Sequence, residues 1–163
     1  PDRDITDHVP EDSPSATALR EMKRIDSSFE VAEFLSGARG AYEMILMAFE
    51  RGELEDIKSF LSADVFETFE SVVAARRDQG LTIEAEFIGV QKIAINEATF
   101  DDASGLAEVT IRIIGELTNV VRNAEGDVVE GHETSPKQQK DIWTFARVMG
   151  TDDPNWQLVA TGE

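Results

Sequence analysis

The hydrophobic period of this chain changes once, near residue 81, and that change constrains the fold more than any single motif. Up to Gly80 the large apolar residues recur three and four positions apart, the spacing of a helix with one buried face. From Thr82 onward they alternate, as in Val109, Ile111 and Ile113 around Thr110 and Arg112. That is the spacing of a strand with one buried face. Helices first and an antiparallel meander second predict an α+β domain, its helices lying on one face of the sheet.

Local signals divide the helical half. In "SSFEVAEFLSGARGAYEMILMAFERG", Ser27 followed by Glu30 fits a capping box, and Phe34, Ala38, Tyr42, Ile45 and Phe49 form a stripe widened by Leu35 and Leu46. Gly37 and Gly40 predict a kink or break unless a neighbour packs very close, and Gly52 supplies a stop. "ELEDIKSFL" is a short amphipathic turn on Leu54, Ile57 and Leu61. "SADVFETFESVVAARRDQG" is a further helix, capped by Ser62 or Asp64 and ended by Gly80. Strands are predicted over "TIEAEFIGVQKIAINEATF", "LAEVTIRIIGELTNVV", the short "VVEG" and a last hairpin, "DIWTFARVMGTDDPNWQLVATGE", which holds both tryptophans.

Residues 1–26 read differently. "PDRDITDHVPEDSPSA" has three prolines, many charges and few large apolar residues, so it predicts a flexible acidic linker. "TALREMKRID" can form a short helix with Leu19, Met22 and Ile25 on one side and Arg20, Lys23 and Arg24 as a basic island. The domain proper is then residues 27–163. The formal net charge of −18 opposes nucleic-acid binding and adhesion to anionic lipid. With no cysteine, disulfides, thiol catalysis and cysteine-ligated metal are excluded. No apolar run reaches the roughly 20 residues that span a bilayer.

Order and residues together resemble a known family. "FLSGARGAYEMILMAFERGELEDIKSFLSADVFETFESVVAARRDQG" and the close "DIWTFAR…DPNWQLVAT" are similar to the Tim-forty-four-like family, within the nuclear-transport-factor-two-like superfamily. The resemblance implies a cone-shaped roll, a curled antiparallel sheet wrapped around the first long helix. It implies a non-catalytic adaptor associated with an inner membrane, related to the domain that tethers the import motor to the mitochondrial translocase. Partners would be membrane lipid or an inner-membrane complex, including a chaperone or translocase. The same resemblance implies a bacterial inner membrane, with the domain tethered through an upstream anchor and expected on the cytoplasmic side.

The candidate site residues follow from that architecture. A helix inside a curled sheet lines whatever space remains, which names Tyr42, Ile45, Phe49, Phe66, Phe69, Phe87 and Trp143 as a ligand pocket. Phe29, Phe34 and Leu35 instead predict an apolar wedge for membrane or partner contact. The alternative is a small-molecule binder or isomerase-like enzyme on the same fold, which needs a titratable group in the pocket. His8 falls in the tail and His132 in a polar hairpin, while Glu84, Glu86 and Asp141 are strand carboxylates expected on the solvated face, with a carboxylate paired to Tyr42 as the catalytic arrangement to look for. No cofactor motif is present, and Asp101–Asp102 and Asp152–Asp153 lack the spacing of a calcium loop, so neither cofactor nor metal is expected.

Overall fold

The computed structural model describes residues 1–163. Four helices come first: α1 (Arg3–Thr6), α2 (Pro14–Ile25), α3 (Val31–Arg51) and, after a 3₁₀ turn (Glu55–Phe60), α4 (Ala63–Asp78). Four strands follow: β1 (Thr82–Asp101), β2 (Leu106–Arg122), β3 (Val128–Val148) and β4 (Gln157–Gly162). They form one antiparallel sheet in chain order. Register shifts at Phe87/Gly89, Val90/Lys92 and Ile95/Glu97 put bulges into β1, and bulges bend a strand. The sheet thereby curls towards α3, and the architecture is the expected α+β roll.

The core lies between that sheet and α3. Tyr42 and Ile45 are fully buried from the helix, and Val109, Ile111 and Ile113 from β2. At Gly115 an added Cβ would sit 2.8 Å from the Tyr42 ring, so only glycine lets that ring approach β2 so closely. Ser62 Oγ caps α4 by accepting from Val65 N, and Gly52, at φ 72°, ends α3. Leu54, Ile57 and Leu61 are buried at the 3₁₀ turn, and Leu61 bridges to Leu158 of β4.

Four expectations are corrected. Residues 1–26 are not an unpacked linker: α1 and α2 lie on the core, burying Ile5, Val9, Leu19 and Met22. Lys23 bridges Asp2 and Asp4, at 2.8 Å from each, and Arg20 donates to the Glu11 carbonyl at 2.6 Å. Lys23 thus neutralises two acids of the stretch, and two isolated apolar residues, Ile5 and Val9, help to anchor it. Ser27 and Glu30 form no capping box. Asp4 caps α3 from 27 positions earlier, accepting from Val31 N at 2.7 Å and Ala32 N at 3.0 Å. The third correction concerns Gly37 and Gly40, which neither break α3 nor permit a close approach: it runs unbroken, and an added Cβ at either meets nothing within 4 Å. Finally, "VVEG" and "DIWTFAR" belong to one strand, β3, joined through the polar stretch His132–Lys140. Leu117 pairs with Lys137 and Asn119 with His132, so Glu133–Pro136 bulge out opposite Thr118. Pro136 has no N–H to give a ladder, and the bulge accommodates it.

Candidate functional site

The α2–α3 turn and the first half of α3 form one wall of an open groove of about 440 Å³, and the β3–β4 hairpin forms the other. Its floor is aromatic. Phe34 stacks edge-on against Trp156 with ring centroids 4.8 Å apart, Phe29 meets the same indole at 5.9 Å, and Phe145 closes on Phe34 at 6.2 Å. Phe60, Ala38 and Ala41 complete the apolar lining. Helical spacing puts Phe34, Ala38 and Ala41 on one side of α3, and Gly37 leaves the space above them open.

One end of the groove is polar. Arg147 projects from β3, its side chain 10% exposed, and donates from Nη1 to Asp26 Oδ2 at 3.1 Å and from Nε to the Asp153 carbonyl at 3.0 Å. Ser28 donates to Asp26 Oδ1 from its hydroxyl at 2.6 Å and its amide at 3.0 Å. Those hydrogen bonds, and then the guanidinium, hold the Asp26 carboxyl below its usual range. Glu30 and Glu33 stand exposed on the rim. The arrangement suits holding an apolar group beside a cation-tolerant edge.

The residues predicted for a pocket are placed differently. Tyr42, Ile45 and Trp143 are packed in the core, the tyrosine and tryptophan rings 4.8 Å apart. Phe49 and Phe69 stack at 4.7 Å between α3 and α4, under Arg76, and Phe66 lies half-buried beneath Lys58. Phe87 alone of the seven reaches a sizeable cleft, one of about 780 Å³ bordered by Met44, Met47, Glu43, Glu53, Asp56 and Glu86. Of the predicted wedge, Phe29 and Phe34 line the groove, and Leu35 is buried.

Asp141 is also corrected. Glu84 and Glu86 are exposed as expected, but Asp141 is buried and accepts from the Tyr42 hydroxyl at 2.7 Å. Burial raises its pKa, and burial together with the carboxylate raises that of the Tyr42 phenol. Tyr42 is fully buried and Asp141 8% exposed, so the pair is sealed in the core, outside the groove. The sequence reading missed Phe60, Phe145, Arg147 and Trp156 as groove residues. Arg147 gave a signal: it shares a strand face with Trp143 and Phe145, and a cation on a buried face requires an acceptor.

The chain is similar to parts of longer proteins. It is 26% identical over 145 residues to the probable mitochondrial import inner membrane translocase subunit tin-44 of Caenorhabditis elegans, covering 86% of this chain. It is 19% identical to the mitochondrial import inner membrane translocase subunit TIM44-1 of Arabidopsis thaliana, across 96% of this chain. The chain spans 34% of the length of each relative. Among solved structures, the intermembrane space region of chloroplast protein ARC6 overlaps 88% of this chain and 93% of its own, with a TM-score of 0.45 and 12% identity. No helix is long and apolar enough to cross a membrane. The model of the Tim44-like domain matches residues 15–163, and the chain therefore belongs to that family.

Proposed function

We propose that this domain is a non-catalytic adaptor of an inner-membrane protein-transport complex, and that the groove beside α3 binds an apolar segment of a partner protein. The mitochondrial translocase subunits it resembles support an inner-membrane setting, and the bacterial membrane and its cytoplasmic face are part of the proposal. The aromatic floor of Phe29, Phe34 and Trp156 is the observation that carries the binding reading. Aromatic-lined clefts of a few hundred Å³ bury apolar side chains well.

Charge selects the occupant. A chain of net charge −18 with Glu30 and Glu33 on the rim repels an anionic lipid surface, so a polypeptide with basic residues flanking its apolar ones is the better partner. Transformation of a ligand has less support, because the one acid–phenol pair is closed off in the core.

Gly37→Leu tests this without removing a core side chain, since the added atoms enter open groove space. With a photocrosslinker placed at Asn155 in native membranes, the parent is expected to capture a partner protein and Gly37→Leu to lose it. Equal capture by both proteins would move the binding function elsewhere on the domain.

A further inference from the structure

We infer that Arg147 is a positioning residue, a strut that fixes the separation of the groove's two walls and so sets the affinity for whatever lies between them. The inference rests on the reading of the groove as the binding site. One wall, the α2–α3 turn, presents Asp26; the other, the β3–β4 hairpin, presents the Asp153 carbonyl. Arg147 donates to both from different nitrogens of one planar group. A guanidinium is rigid, so the two acceptors cannot separate without breaking a bond.

Other contacts across the groove, those of Phe29 and Phe34 with Trp156, of Phe34 with Phe145 and of Ile25 beside Gly150, are apolar and less directional than a hydrogen bond. The hairpin tip has its own local bonds, Thr151 Oγ1 to the Val148 carbonyl and Asn155 N to Asp153 Oδ1, which shape it without tying it to the opposite wall. Only 10% of the Arg147 side chain is exposed, so the guanidinium end of the strut is shielded from water, where a charge-assisted bond is stronger. Asp26 is itself fixed by Ser28, which keeps its second oxygen aimed at Arg147.

The absence of native cysteine allows a direct test. Spin labels at Ser27→Cys and Asp152→Cys, both exposed and outside the groove lining, report the wall-to-wall distance by pulsed dipolar spectroscopy. The parent is expected to show one narrow distance distribution, and Arg147→Met a broad one. Asp26→Ala, which removes one arm at a partly exposed site, provides a second variant if Arg147→Met folds poorly. Affinity for a dansyl-labelled peptide of leucine and arginine is expected to fall about tenfold with the broadening, the scale of one charge-assisted hydrogen bond. An equally narrow distribution in both variants overturns the strut. Broadening with unchanged peptide affinity leaves the strut standing and overturns the groove as the binding site.

Discussion

At Tyr42 and Asp141 a 2.7 Å hydrogen bond from the phenol satisfies one oxygen of a buried carboxylate whose other oxygen has only a 3.4 Å bond from Gln139. Tyr42→Phe removes the donor and is expected to cost about 1–3 kcal/mol of stability in urea unfolding. Asp141→Asn should cost less, because the amide oxygen still accepts from the phenol and no charge is buried. The two proteins should also differ with pH. Burial raises the folded pKa of Asp141 above 3.8, so the folded state holds the proton more tightly than the unfolded chain does. This contribution is fully present below 3.8 and lost as pH rises through the folded value, and Asp141→Asn should abolish that decline. Two glycines on α3 separate stability from binding in a similar way. Gly40→Ala and Gly37→Ala each add helix propensity, by up to about 1 kcal/mol, at positions where the methyl meets no neighbour. Both should raise the melting temperature, and only Gly37→Ala, which lines the groove, should weaken peptide binding in a titration.

Among the elements, α3 depends on a residue outside itself. Its N-cap position, Glu30, makes no side-chain cap, and Asp4 takes that place. Asp4→Ala is expected to cost about 1 kcal/mol and to speed amide exchange at Val31 and Ala32 before the rest of the helix. Burial would raise the Asp4 pKa, but the hydrogen bonds from Lys23 and the two amides outweigh it and leave the value depressed. The clasp therefore contributes above the ordinary carboxylate value and is lost as pH falls through the folded one, the opposite sign to Asp141. Much of this level was legible in the sequence. The period switch at Thr82, the Ser62 cap and the Gly52 stop are local signals, and the structure keeps all three. Asp4 was not legible, because its partners lie 27 and 28 positions away and only the fold brings them near. Arg147 was half legible: its face implied burial, but nothing in the alternation of β3 said that Asp26 would be its acceptor. Whether the residues named for a pocket enclose space was not legible, because a helical stripe or a strand alternation reports which side is buried, not whether the buried space is filled.

For the molecule as a whole, two electrostatic effects of opposite sign compete, and salt can decide between them. Thirty-three acidic and fifteen basic residues leave a net −18 on one 163-residue chain, so the folded state concentrates like charge that the unfolded chain spreads out. Against this stand the local ion pairs, many of them exposed. Arg24 with Glu21 and Arg122 with Glu84 and Glu133 are surface pairs, which contribute little and are weakened by the same salt. The pairs that salt reaches least are Arg147 with Asp26 and Arg76 with Glu50, whose side chains are largely shielded. Screening therefore removes long-range repulsion while sparing the contacts that hold the groove and the end of α3. The melting temperature is expected to rise between low and moderate sodium chloride, and binding of a basic peptide to fall over the same range as its attraction to the rim is screened. A melting temperature that dropped with salt would mean that local pairs, not net repulsion, dominate the stability of this domain. An affinity that held constant would assign binding to the aromatic floor alone and remove the acidic rim from partner selection.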